Sequence, residues 1–252
     1  MGVRVAGTID WLSDEWFERA AELVAPCSAG ADVGCRVQFD ADGRRWFQVV
    51  EEGSVTAWSR GELTDADVEL RLPLSTARAI FEASTSGTDA LAACTVVAPD
   101  GTSGAPSPMD VELRPELQEL PELPDATLGI QYHFADGPFG AVDYWWRFLD
   151  GRSDQMGWGL DPEPDVEVWI PFHHMVGVRT GAISIYEALE GGNRVDGAVG
   201  PLMLLAGLQE SEELHDAELA CGPSGPVLAA LGRLRASEGY LAAMDRLAGE
   251  TG

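Results

Sequence analysis

The sequence predicts an α+β protein made of two copies of one antiparallel-sheet-plus-helices unit, residues 1–112 and 126–252, joined by a linker at 113–125. Three observations carry this. Asp67-Val68-Glu69-Leu70-Arg71-Leu72-Pro73-Leu74 recurs as Asp165-Val166-Glu167-Val168-Trp169-Ile170-Pro171-Phe172, an offset of 98 residues. At that offset Gly53 falls on Gly151, Gly61 on Gly159, and Asp89-Ala90-Leu91 on Glu187-Ala188-Leu189, a register long enough to mark an internal repeat. Finally, the stretches Pro99 to Pro108 and Pro115 to Pro124 are punctuated by Gly, Ser and Pro as linkers are.

In the first copy, Ser13 is placed to cap a helix whose first turn holds Asp14 and Glu15 and whose apolar stripe is Trp16, Phe17, Ala20, Leu23 and Val24. Alternating or β-branched runs at Val33 to Phe39, Arg45 to Val50, Ser54 to Ser59 and Val68 to Leu72 predict an antiparallel meander, its first turn at Asp42-Gly43. Ser75 to Ala83 reads as a helix. The second copy repeats the plan with strands near Leu128 to Phe134, Val142 to Leu149, Gln155 to Gly159 and Val166 to Ile170, then helices near His173 to Thr180 and Ile183 to Leu189. Upstream the register slips, matching Phe39 to Gly43 with Phe134 to Gly137, so the first hairpin differs in length between copies. The missing leading helix of the second copy is offered by Val227, Leu228, Leu231, Leu234, Leu241, Met244 and Ala248, with Gly239 a break within it.

Composition narrows the function classes. A formal charge of −26, from 42 acidic and 16 basic residues, repels a phosphate backbone, so no nucleic-acid partner is expected. All basic residues are Arg, which excludes a Schiff-base lysine and suggests a bacterial source. No window is long and apolar enough for a membrane span, no secretory leader is evident, and Cys27, Cys35, Cys94 and Cys221 lie far apart, so a cytoplasmic protein with reduced thiols is expected. No phosphate-binding, dinucleotide or nucleophile-elbow motif occurs, and no cofactor is expected. The acidic runs Glu116 to Glu122 and Glu210 to Glu218 read as solvated segments.

The order of helix, meander, Asp-Val-Glu strand into a helix, then Gly191-Gly192-Asn193-Arg194-Val195-Asp196-Gly197 and the apolar Pro201 to Leu208 resembles the sterol carrier protein 2 family. The resemblance is clearer in the second copy; in the first, Cys94 to Met109 departs from the closing pattern, which implies a degenerate pocket there. It implies a five-stranded sheet with helices on one face and a tunnel for acyl chains, sterols or acyl-CoA.

Alternation in the second copy puts Val142, Tyr144, Trp146 and Phe148 on one strand face and Asp143, Trp145 and Arg147 on the other. The expected pocket therefore has Tyr144, Trp146, Phe148, Val168 and Ile170 as its floor, with Met175, Val178 and Ile185 from the following helices. The first copy, with Trp46-Phe47-Gln48 on the matching strand and small Ala77, Ala79 and Ala83 on its helix, is expected to be the more filled. The leading function is binding of a hydrophobic small molecule: a lipid, acyl chain, polyketide or terpenoid. A second is a cofactor-independent cyclase or isomerase of specialised metabolism, using His173 with Asp143 or Tyr144. A third is a partner-binding subunit or homodimer, with Trp145 and Trp169 as contact. His133, His173, His174 and His215 have no metal-ligand spacing, so no metal is expected.

Overall fold

The computed structural model describes residues 8–104, 127–149, 152–179, 182–190, 193–202 and 224–252. The expected linker, His215, Cys221 and the helix expected at Pro201 to Leu208 beyond Leu202 lie outside them. The first half contains α1 (Asp14–Val24), β1 (Cys35–Ala41), β2 (Arg44–Glu51), β3 (Ser54–Arg60), β4 (Val68–Leu72), α2 (Leu74–Phe81), α3 (Gly87–Ala92), β5 (Thr95–Val97) and β6 (Ser103–Gly104). The second contains β7 (Leu128–Gly137), β8 (Gly140–Leu149), β9 (Arg152–Trp158), β10 (Val166–Trp169), α4 (Phe172–Arg179), α5 (Ile185–Glu190) and β11 (Arg194–Gly197). The C-terminal helices α6 (Ser224–Ala236) and α7 (Tyr240–Glu250) follow, broken apart at Gly239, whose φ of +83° suits only glycine well. Ser13 caps α1 by accepting from the Trp16 N–H at 3.1 Å.

This mixed α+β chain forms two sheets, ordered β3-β2-β1-β4-β5-β6 and β11-β10-β7-β8-β9. Neither is the expected simple meander. β4 lies beside β1 and parallel to it, and β10 beside β7 and parallel to it. A parallel neighbour requires a connection that travels back along the sheet. In the first sheet residues 61–67 make this return past Gln38, a buried amide on the face away from the helices. It donates to the carbonyls of Trp46 (2.7 Å) and Gly61 (3.2 Å) and accepts from the Leu63 N–H (2.7 Å). In the second sheet Gln131 does the same, donating to Tyr144 (3.0 Å) and Gly159 (3.2 Å) and accepting from Asp161 (2.7 Å). A loop laid on a sheet face would otherwise bury unpaired backbone groups.

Two further polar ties occur in both halves. Asp67 accepts from the Arg36 N–H at 2.7 Å, as Asp165 does from Gly129 at 2.6 Å. Asp42 in the first hairpin accepts from the Leu74 N–H at the start of α2, and Asp136 from the Phe172 N–H at the start of α4.

The pairing corrects the upstream register. Val68 sits beside Val37 and Val166 beside Ile130, so Phe39 corresponds to Tyr132 and not to Phe134. The second hairpin absorbs the difference: residues 42–43 link Ala41 to Arg44, whereas 135–141 link Phe134 to Val142 through a bulge. A second correction concerns Cys94 to Met109. Thr95–Val97 forms β5 and pairs antiparallel with β4, the place that β11 takes beside β10, because Val96 is buried against Leu70.

One apolar cluster runs through both halves. α6 packs on β7, α4 and β1, and α7 on α1. A Cβ at Gly232 would lie 2.0 Å from the Asp136 carbonyl oxygen, so only glycine lets α6 approach the second hairpin this closely. The segment before α1 meets the end of α7, where Ile9 N–H donates to Glu250 O (2.8 Å) and Arg19 pairs with the Glu250 carboxylate (2.7 Å).

Candidate functional site

An apolar cavity of about 140 Å3 lies against the inner face of the first sheet. Strand alternation turns Trp46 and Gln48 of β2, Phe39 of β1 and Leu72 of β4 toward it. α1 adds Trp16, α2 adds Ala77, Ile80 and Phe81, and α6 and α7 close it with Leu231, Leu234, Arg235, Tyr240, Leu241 and Met244. Phe139, from the turn of the β7–β8 hairpin, completes the wall, so the cavity requires both halves of the chain.

Aromatic contacts set its shape. Trp16 meets Trp58 edge-on at 5.7 Å and Phe81 at 5.2 Å, and Trp46 stacks on Phe39 at 5.3 Å. Leu12, in the left-handed region at φ +59°, turns the chain into Ser13 so that both Trp11 and Leu12 join the lining. Burial pushes the Tyr240 phenol up to about 12, against the pull of the Arg235 guanidinium, so it stays protonated. Leu241 and Asp245, both exposed, mark the rim.

A polar hollow of about 360 Å3 adjoins the cavity and shares Trp11, Leu12 and Trp46 with it. Its other lining includes Arg44, Arg45 and Arg60. Arg45 is committed to Asp40 (3.2 Å), Glu62 and Glu69 (3.2 Å). Arg44 and Arg60 are exposed and make no ion pair among the described residues, leaving a local positive patch on a strongly acidic protein.

This cavity stands where the sequence reading expected a filled first unit. Of the alanines of α2, Ala77 is buried and lines the cavity. Gln48, which lines it, stands where the second sheet carries the larger Trp146. Sequence reasoning missed Trp11, Trp16, Gln48, Trp58 and Phe81. The available signal was Gln48: a polar side chain at a position where alternation between Trp46 and Val50 demands an inward one.

Tyr144, Trp146, Phe148, Val168, Ile170 and Met175 are all buried on the helix side of the second sheet, as the alternation required. Trp146 and Phe148 pack with ring centres 4.4 Å apart and planes tilted by 40°, and Tyr144 meets Trp158 edge-on at 5.0 Å. Val178 is half-buried and packs against this core, while the Ile185 side chain lies outside the described residues. The expected acid/base set is not brought together. Asp143 faces outward and binds His133 Nδ1 at 2.7 Å, Tyr144 faces inward, and His173 binds Asp136.

The outer face of the second sheet holds a compact polar group. His133 lies between Asp143 and Glu167 (3.1 Å) and stacks on Trp169 at 4.7 Å, with the Arg194 guanidinium 4.3 Å from the Trp169 ring. Trp169 is therefore flanked within its own sheet; Trp145 is half-buried. At the start of α4, burial pushes Asp136 up, but bonds from His173 and the Phe172 N–H outweigh it and hold the carboxyl below its usual range. Burial, reinforced by neighbouring His173, holds His174 below its ordinary value. Among the described residues no three His, Cys, Asp or Glu side chains gather to hold a metal ion, and no helix is long and apolar enough to cross a membrane.

No family model and no curated protein matches this chain. Among solved structures it is similar to palmitated SCP2L2 from Aedes aegypti, with 17% identity over 34% of this chain and 76% of that one and a TM-score of 0.30. It is also similar to TT1886 from Thermus thermophilus, described as a possible sterol carrier protein, with 14% identity over 45% of this chain and 86% of that one and a TM-score of 0.29.

Proposed function

We propose that the chain binds an apolar small molecule in the cavity between its first sheet and helices α1, α2, α6 and α7. The observation that carries this reading is the cavity itself: about 140 Å3, walled by Phe39, Trp46, Trp58, Phe81 and Leu234. A dry apolar void of roughly 150 Å3 is large enough to take a benzene-sized guest. Its wall is largely aromatic and aliphatic and it opens at a rim marked by Leu241 and Asp245, the make-up of a small-molecule site. The two halves are read as copies of one unit, supported by their shared strand order and matched Gln38/Gln131 and Asp67/Asp165 ties.

Four of the eight tryptophans, Trp11, Trp16, Trp46 and Trp58, line the cavity, so intrinsic fluorescence reports on it. Naphthalene is expected to quench that fluorescence saturably in the wild type and not in Gln48→Trp, which fills the space. Unsaturable quenching, or equal quenching in both proteins, overturns the reading. A binding floor on the second sheet, formed by Tyr144, Trp146, Phe148, Val168, Ile170 and Met175, is a separate proposal. Naphthalene binding lost in Trp146→Ala and kept in Gln48→Trp would place the site there instead.

A further inference from the structure

Three arginines, Arg44, Arg45 and Arg60, line the hollow beside the cavity, and among the described residues no carboxylate does. On a chain with 42 acidic and 16 basic residues this is a local reversal of charge. Arg19, Arg36, Arg147 and Arg233 are each spent on a carboxylate elsewhere in the fold. Arg45 is likewise spent, on Asp40, Glu62 and Glu69, but Arg44 and Arg60 are exposed and have no ion-pair partner among the described residues.

Register places these two cations together. Arg44 lies two residues from Trp46 on β2, hence on the same strand face, and Arg60 of β3 is the direct cross-strand partner of Trp46. Arg44 and Arg60 are therefore diagonal neighbours, a spacing that long side chains reach across. In the second sheet the matching positions carry Val142 and Trp158, and Val142 is buried. The backbone thus accepts apolar residues here, and charge is a property of the first sheet alone. A guanidinium is a planar fork of donors that fits carboxylate and phosphate oxygens. We infer that the hollow is an oxyanion site, in which Arg44 and Arg60 receive the carboxylate or phosphate group of a small molecule. The hollow shares Trp11, Leu12 and Trp46 with the apolar cavity, so the group is either carried by the cavity's guest or supplied as a separate anion. In both cases the site stands on its own arginines and does not rest on the binding role proposed above.

Calorimetric titration of the full chain with inorganic phosphate and with 2-naphthoate, at constant ionic strength, tests this. At least one of the two binds the wild type saturably. Arg44→Gln and Arg60→Gln each weaken that binding by about five-fold or more, the worth of one charge-assisted hydrogen bond. Arg194→Gln removes the same charge from the exposed surface of the second sheet and leaves binding within about two-fold, because distant charges are screened. An unchanged urea midpoint in each variant excludes unfolding as the cause. Phosphate binding by itself assigns a separate anion, and loss of 2-naphthoate binding in Gln48→Trp assigns the anion to the cavity's guest. Binding of neither probe, binding that survives either arginine substitution, or an equal loss in Arg194→Gln overturns the inference. Naphthalene, which carries no charge, still reports on the cavity in each of those cases, so the two readings fail separately.

Discussion

At one inward position the first sheet carries Gln48 where the second carries Trp146, and one step along Val50 stands where the second has Phe148. Around these positions the two sheets are built alike, with the same parallel pairing, the same buried glutamine beneath the return loop, and the same aspartate at the entry to the parallel strand. The contrast separates what a sheet needs in order to form from what decides whether it encloses space. Backbone ties are indifferent to side-chain volume on the opposite face, so the inner face is free to be filled or left hollow. The outer faces diverge as well, and by a charge exchange: Asp40 bound to Arg45 in the first sheet stands where His133 bound to Asp143 does in the second, with Glu69 and Glu167 alongside.

The sharpest way to break this comparison is to give the second sheet the first sheet's residue. Trp146→Gln removes a fully buried indole and is expected to cost about 3–5 kcal/mol in urea denaturation, the range of large-to-small core changes. A cost within about 0.5 kcal/mol, typical of surface substitutions, would mean that Trp146 does not fill the core as described. Next in size is the shared tie. Gln38→Leu and Gln131→Leu each strand the buried backbone of a return loop, and each is expected to cost about 2–4 kcal/mol. Markedly unequal losses would show that the two return loops are not held in the same way.

A smaller effect of opposite sign is expected at the cavity. Gln48→Leu replaces a buried amide whose Nε2 lacks an acceptor among the described residues, and should raise the stability of the ligand-free protein by about 1 kcal/mol in the same assay. A loss instead would mean that the amide is structural. The smallest effect is a pH dependence confined to the second half, since Thr76 stands where His174 does and cannot titrate. His174 is held below its ordinary value, so the unfolded chain takes up that proton at a higher pH than the folded one. Stability from this group is complete above about pH 6.5 and declines as the pH falls below it. The decline should be absent in His174→Gln, and identical stability–pH curves for the two proteins would remove His174 from the account.

Much of the frame was legible from residue order. The octapeptide repeat located β4 and β10, Ser13 with Asp14 and Glu15 located α1, and alternation sorted Tyr144, Trp146 and Phe148 from Asp143, Trp145 and Arg147. These are local signals, set by periods of two or 3.6 residues and by short-range capping. The parallel placement of β4 and β10 was not legible, because an apolar strand reads the same on either side of its neighbour. Nor was the true register of the second hairpin, since aligning Phe39 with Phe134 looks better by residue type than aligning it with Tyr132.

The sequence by itself determined where most strands form and which face of each turns inward, because those outcomes depend on neighbours a few residues apart. Only the tertiary structure decided where space remains. Trp11, Trp16, Gln48, Trp58, Phe139 and Leu234 are scattered along the chain, and whether they meet as packed core or as the wall of a cavity depends on how closely α1, α6 and α7 approach the first sheet. That approach is set by the summed volumes of all the side chains between them, a property of the assembled core that no single segment contains.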